Sequence, residues 1–368
     1  MANLFDYLKW RADVPFSLDP FHEVDNLVLC ELAYTDFSGI VPADGREIPL
    51  PDACEAFFRR HTREELLAKT AYTAKAPLLM QDMAQGARFR NATLCRYINE
   101  IDREKDAQIS AVTVKPGDGT VFVAYRGTDG TLVGWREDFD LSFVEGTEGQ
   151  RRAAEYLNET AASLPEMLRV GGHSKGGNFA VYAATFCERA AQDRILQVYS
   201  NDGPGFGEHV LGSEGYRRIL PRLVSIVPDT SIIGRLLDSK AAHRVVRSTA
   251  GGIAQHDGFS WCVERNRFVG AEPSEASLFL EQTLGTWIAE MDAKTRKSFT
   301  DTVFSLFEST GEETFSAMNE QKWKTAESIV SSMHDLPKEK RHELMYLAGR
   351  LLQSGGQTAA SKLPEQLI

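Results

Sequence analysis

The pattern of apolar and polar positions changes character twice along the chain. From residue 1 to about 105, apolar residues recur at helical spacing. They run from Val24 to Phe37, then from Ala53 to Thr73 after the breaks at Pro42, Pro49 and Pro51, then from Ala76 to Tyr97 with Leu78, Leu79, Met80 and Met83. This predicts a helical layer packed on a main sheet, or a lid over a substrate site. β-Branched runs then take over at Ile109 to Val114 and Val121 to Arg126, joined by the turn chemistry of Lys115-Pro116-Gly117-Asp118-Gly119. A helix is predicted from Gly149 to Ser163 and a strand from Leu168. Short apolar strands follow at Ile195 to Ser200, Leu223 to Val227 and His243 to Arg247, with helical or loop segments between them. Strands alternating with helices predict an α/β fold around a mostly parallel, doubly wound sheet, with reactive groups beyond the carboxyl ends of its strands. From about Glu272 to Ser354 the period is helical again. Phe299, Val303, Leu306 and Phe307 share one face, Leu344, Leu347 and Leu351 another, and a flexible end is expected at Ser354-Gly355-Gly356-Gln357. Three blocks result: an N-terminal helical layer or lid (1–105), a core (106–270) and a C-terminal helical region (271–368).

One stretch, Leu168 to Ala184, organises the middle block. A short apolar strand runs into Gly172-His173-Ser174-Lys175-Gly176, and a helix of small residues follows (Gly177, Ala180, Ala183, Ala184). G-x-S-x-G between a strand and a helix is the pattern of a nucleophile elbow. The serine sits at a strained turn, and glycines two positions to either side leave room for it.

A serine hydroxyl is a weak nucleophile until a base takes its proton. Of eight histidines, His22, His61, His334 and His342 lie in the helical flanks, and His209 and His243 within or just before regular elements. His173 neighbours the serine, with a side chain expected to point away from the hydroxyl. His256 lies in the glycine-rich loop Gly251-Gly252-Ile253-Ala254-Gln255-His256-Asp257-Gly258 after the last apolar strand, and is the expected base. Asp257 is too close in sequence to orient its neighbour's ring. Two acids remain. Asp202, in Ser200-Asn201-Asp202-Gly203-Pro204-Gly205, directly follows a strand and is preferred. Asp229 follows the next strand, but Pro228-Asp229-Thr230-Ser231 precedes Ile232, Ile233, Leu236 and Leu237, which gives Asp229 or Thr230 a strong alternative explanation as a helix cap. The oxyanion donors expected are the backbone N–H of Lys175 and that of Thr128, in Arg126-Gly127-Thr128-Asp129.

Composition narrows the partners. With 42% hydrophobic residues among 368, the chain can bury a sizeable core, and a formal net charge of −11 argues against nucleic acid. Five scattered cysteines without a C-x-x-C pair predict reduced thiols in a cytoplasmic protein, with neither a disulfide nor a metal framework. No cofactor, signal peptide or membrane span is expected.

Phe122-Val123-Ala124-Tyr125-Arg126-Gly127-Thr128, Trp135, Asp138 and Gly172-His173-Ser174-Lys175-Gly176-Gly177 resemble the class 3 lipases of the α/β-hydrolase superfamily, over roughly residues 107 to 260. Over most of its length the chain also resembles a bacterial family of lipase-like proteins of unknown function. Residues 6–10, the Asn201 to Phe206 segment, Val227-Pro228 to Gly234 and Gln255-His256-Asp257 to Trp261 carry that likeness. In class 3 lipases the R-G-T loop supplies an oxyanion donor, which supports Thr128, and the catalytic aspartate shortly precedes a Val-Pro pair. Aligning on Val227-Pro228 puts Ser225 at that place, which displaces the acid to Asp202 or Asp229. Lys175 stands where lipases often carry an apolar residue. The function expected is a serine esterase acting on a small or lipid-like acyl ester, with a thioesterase or acyltransferase, or a non-catalytic binding module on the same fold, as alternatives.

Overall fold

The computed structural model describes residues 1–68, 74–102, 104, 107–128, 136–137, 141, 146–275, 277–279, 282–283, 291–310, 322–342 and 344–347. Of the features named above, Thr73, Asp129, Trp135, Asp138, Leu351 and residues 354–357 lie outside these. The described residues fall into two compact units. The first comprises Met1–Ile101, Gln108–Gly127 and Glu148–Pro273, the second Asp102–Ala107, Thr128–Thr147 and Ser274–Ile368.

In the first unit, helices α1 (Leu4–Arg11), α2 (Glu23–Leu32), α3 (Leu50–Phe58), α4 (Arg63–Leu67) and α5 (Lys75–Gln85) precede most of the sheet. Its eight strands are β1 (Ile48–Pro49), β2 (Thr93–Asp102), β3 (Ala107–Lys115), β4 (Thr120–Tyr125), β5 (Met167–His173), β6 (Ile195–Asn201), β7 (Leu223–Pro228) and β8 (His243–Val246), side by side in chain order. β3 and β4 are antiparallel across the predicted turn, and β4 to β8 are parallel throughout. The crossovers carry α6 (Glu148–Ser163), α7 (Lys175–Phe186), α8 (Arg189–Asp193), α9 (Glu208–Leu211) and α10 (Glu214–Ile219).

Strand alternation decides which helices cover which face. On β4, Val121, Val123 and Tyr125 pack with α6, α7 and α10, whereas Phe122 and Ala124 join Leu4, Leu27, Leu50 and Met80 of the N-terminal helices. Parallel strands taken in consecutive order, with crossovers of one hand, put their connecting helices on one face. Helices therefore cover both faces of a mostly parallel sheet, the second face being roofed by the chain's beginning. The N-terminal helices share the sheet's core and belong to its unit. Buried Arg88 holds them together, with Nε 2.7 Å from Asp25 Oδ1 and further donations to the carbonyls of Val14 and Asp19 at 3.0 Å.

Two expectations are corrected. The helical run Ala76 to Tyr97 ends at Gln85, and Thr93–Asp102 is a ten-residue strand with no regular alternation of burial. Its charged outer end, Asn99-Glu100-Ile101-Asp102, is largely exposed, which hides the period of two. Residues 229–237 hold only a single 3-10 turn, Ile233–Arg235, in place of the helix that Asp229 was expected to cap.

The second unit contains helices α11 (Ala293–Glu308) and α12 (Lys322–Asp335). Phe304, absent from the predicted stripe, is buried beside Leu306, and Asp301 pairs with Arg136 at 2.8 Å. Glu137 accepts from the Thr147 hydroxyl at 2.9 Å. No helix among the described residues is long and apolar enough to cross a membrane. All five cysteines are buried and outside disulfides.

Candidate active site

The carboxyl ends of β5, β6 and β8 lead into the elbow, the Asp202 turn and the His256 loop, so three distant segments open at one edge of the sheet. At the elbow Ser174 has φ 58° and ψ −132°, a conformation that an L-residue adopts only where its surroundings hold it. The two glycines make this bend sterically accessible. A Cβ on Gly172 would lie 2.1 Å from Gly176 backbone, and one on Gly176 would lie 2.2 Å from the Tyr125 carbonyl oxygen. Serine follows the strand, and α7 begins at the next residue. The N–H of Lys175 therefore belongs to the helix's first turn, which carries the positive end of the helix dipole. The Lys175 side chain itself is buried, its Nζ 5.6 Å from the centre of the Phe179 ring.

Asp202 directly follows β6 and also has a positive φ, 49°. Its N–H donates to the Ile226 carbonyl at 2.7 Å. Oδ1 accepts from the Ser231 hydroxyl at 2.5 Å and from the Gly234 N–H at 3.1 Å, which leaves Oδ2 directed elsewhere. Oδ2 meets His256 Nδ1 at 2.6 Å. A carboxylate only accepts, so Nδ1 carries the proton and Nε2 of the neutral ring keeps its lone pair. Asp202 is 1% exposed and the His256 side chain 19%, so the carboxylate is sealed and the imidazole opens toward solvent. Asp229 makes a different set of contacts. Its N–H donates to the Val246 carbonyl at 2.9 Å and its carboxylate accepts from Thr230 at 3.3 Å.

Ser174 joins the pair through the backbone. Its N–H donates at 2.9 Å to the carbonyl of Asn201, the residue before Asp202. Ser174 is 8% exposed, and among the described residues its hydroxyl has no hydrogen-bond partner. Gly127 ends the first unit's portion of the R-G-T loop and lies against the elbow, since a Cβ there would come within 3.0 Å of Ser174 Cβ. Thr128, the next residue, is buried. Ser225, where the class 3 lipase pattern has its aspartate, exchanges a 2.9 Å hydrogen bond with His243 Nδ1.

The sequence pattern singles out each of these residues but gives no sign of which residues brace them. Gln255 ties the base's loop to Thr230 N–H (2.8 Å) and to the Ala250 carbonyl (3.1 Å), and the Trp261 indole donates to the Gln255 carbonyl at 2.9 Å. Asp257 pairs with Lys75 at 2.6 Å. Buried His173 points away from the hydroxyl as expected, but toward Tyr34 and the His256 loop.

The sequence matches the Mbeg1-like family over residues 83–305, a span that includes the elbow, the Asp202 turn and the His256 loop. The chain belongs to the Mbeg1-like family. Solved structures similar to this Mbeg1-like chain include proteins whose titles call them lipases. Lipase II from Rhizopus niveus is 17% identical, with a TM-score of 0.31 over 53% of this chain and 80% of that one. M37 lipase is 16% identical, with a TM-score of 0.32 over 48% and 70%. A mutant of MDLA from Penicillium cyclopium is 13% identical, with a TM-score of 0.36 over 71% and 87%. No curated protein matches the sequence.

Proposed function

We propose that this Mbeg1-like protein is a serine hydrolase that cleaves carboxylic esters through an acyl-enzyme. Ser174 Oγ attacks the acyl carbonyl and passes its proton to His256 Nε2, while Asp202 holds the Nδ1 proton and stabilises the imidazolium. The N–H of Lys175 donates to the developing oxyanion, and so does that of Thr128, whose peptide bond begins at Gly127. Collapse returns the proton to the departing alcohol, and water attacks the acyl-enzyme by the same route. The 2.6 Å contact between Asp202 and His256 is the observation that carries this reading, because a buried carboxylate on Nδ1 leaves the far nitrogen basic. The substrate class inferred is a small or lipid-like acyl ester.

The test is labelling by a fluorophosphonate, with mass spectrometry of the adduct and p-nitrophenyl esters of graded acyl length. Labelling at Ser174 that disappears in Ser174→Ala, together with turnover of at least one ester, is expected. A folded protein that takes up no label at Ser174 overturns the proposal. A thioester substrate and added alcohols or amines separate a thioesterase or acyltransferase from an esterase. The absence of a hydrogen bond between Ser174 and His256 favours a second reading, a binding module without turnover. In free enzymes that bond often tightens only with substrate bound. Labelling without turnover of any ester or thioester would favour the second reading.

A further inference from the structure

His173 takes no part in the reaction drawn above, yet it is fully buried between the elbow and the loop that carries the base. Its Nε2 lies 2.7 Å from the backbone carbonyl oxygen of His256, and its Nδ1 lies 2.9 Å from the Tyr34 hydroxyl. The two imidazoles are 4.6 Å apart, centre to centre. A carbonyl only accepts, so Nε2 must carry the proton. In a neutral ring Nδ1 then accepts, and the Tyr34 hydroxyl donates to it. Among the described residues, the groups facing this ring include Tyr34, the His256 ring, Asp202 beyond it, and Glu31 of α2, whose Oε1 is 4.0 Å from Nδ1. Burial, followed by the charge on a protonated His256, pushes the His173 pKa down to about 3 and keeps the ring neutral. Burial, followed by Asp257, also raises the Glu31 carboxyl well above the ordinary range, which favours its protonated form.

Tyr34 has a second role in the packing. A Cβ on Gly127 would sit 2.3 Å from its hydroxyl oxygen and 2.7 Å from the His173 carbonyl oxygen. One side chain from the N-terminal helical layer therefore abuts Gly127 and occupies the second nitrogen of the elbow histidine. Through that histidine it reaches the backbone of the base.

We infer that His173 is a positioning residue for the reaction proposed above. With Tyr34 donating to Nδ1 and Nε2 donating to the His256 carbonyl, it clamps the His256 backbone so that the His256 ring keeps Asp202 on one nitrogen and presents the other at the elbow. The inference rests on the serine hydrolase reading, so the test has one arm in kinetics and one in spectroscopy. Three variants are compared with the wild-type protein. His173→Gln keeps an N–H near the position of Nε2, His173→Leu removes it, and Tyr34→Phe removes only the hydroxyl. Displacement of a catalytic group by about 1 Å costs on the order of 100-fold. On p-nitrophenyl acetate, His173→Leu is therefore expected to lose about 100-fold in kcat with KM within about twofold. Tyr34→Phe, missing one hydrogen bond, should lose about fivefold. His173→Gln should recover most of the loss. Nitrogen-15 spectra of the imidazoles should show His173 as a neutral Nε2–H ring from pH 5 to 8. They should also show His256 signals that shift in the Leu variant and return in the Gln variant.

Wild-type kcat in His173→Leu, or a Gln variant no faster than the Leu variant, overturns the inference. So does a His173 ring that titrates between pH 5 and 8. If His173→Leu does not fold, the Tyr34→Phe and His173→Gln comparisons decide. If the wild-type protein neither turns over esters nor takes up a fluorophosphonate, the hydrolase reading falls. The clamp is then judged by the His256 signals alone, standing if they follow the Leu and Gln variants and falling if they do not.

Discussion

Replacing Asp202 by asparagine changes one atom and tests the proposed chemistry at its centre. The backbone at 202, with φ 49°, lies in a region that asparagine tolerates about as well as aspartate. The amide oxygen can keep the Ser231 hydroxyl and the Gly234 N–H as donors. The NH₂ group then occupies the place of Oδ2, 2.6 Å from His256 Nδ1, and a donor there forces Nδ1 to become the acceptor. The ring proton moves to Nε2, the nitrogen that must receive the proton of Ser174. The same exchange in a Ser-His-Asp triad costs about 10⁴ in rate, which is about 5 kcal/mol of transition-state stabilisation. The folded state exchanges a charge-assisted hydrogen bond for a neutral one, a change of about 1–2 kcal/mol. Measuring kcat/KM on a p-nitrophenyl ester alongside urea unfolding separates the two effects. The expected result is a folded variant about 10⁴-fold slower. A folded Asp202→Asn variant within tenfold of wild type would refute the role given to this carboxylate, and with it the view of His256 as a base held in one tautomer.

Asp229→Asn is the matching control. Its carboxylate contacts Thr230 and not His256, so kcat/KM should stay within about twofold, as for substitutions away from special contacts. A loss comparable to that of Asp202→Asn would transfer the acid's role to Asp229. Gly176→Ala puts a methyl 2.2 Å from the Tyr125 carbonyl, a backbone atom that cannot move aside. Urea unfolding should show a loss of about 3 kcal/mol or more, and an alanine variant of wild-type stability would refute the close packing of elbow on strand. His173 should also leave a signature in the pH dependence of stability. Its folded pKa of about 3 lies below the ordinary 6.5, so the unfolded chain takes up the proton first. Its contribution is complete above pH 6.5 and is lost as pH falls toward 3, up to about 5 kcal/mol. Between pH 7 and 4.5 the wild-type protein should lose about 3 kcal/mol more than His173→Gln; equal losses would mean that His173 is not held neutral by burial.

The elements read most surely from the sequence are those whose cause is local. β3 to β8 fall within a residue or two of the apolar runs that predicted them, and α6 and α7 within one or two of theirs. β-Branched runs, turn residues and small-residue helices impose their conformation over a few positions. β2 was missed because its outer half is polar and exposed, so no alternation marks it. The helix proposed after Asp229 failed for the opposite reason. An apolar run suggested a helical face, but the segment is taken up by contacts with Asp202 and Gln255 and closes in a single 3-10 turn.

The sequence by itself determined the elbow, because two glycines and the serine between them set a backbone geometry that needs no distant partner. It also narrowed the candidate base to one loop and the candidate acid to two carboxylates. Which of the two carboxylates meets His256 is visible only in the folded chain. Asp202 and His256 are separated by 54 residues, and the hydrogen bond between them exists only because β6 and the loop after β8 open at the same edge. Tyr34 and His173 are 139 residues apart, and no pattern around Tyr34 sets it apart from any other tyrosine flanking a helix. Local sequence encodes backbone conformation, whereas the pairing of side chains across such distances depends on strand order and on which helices cover each face of the sheet.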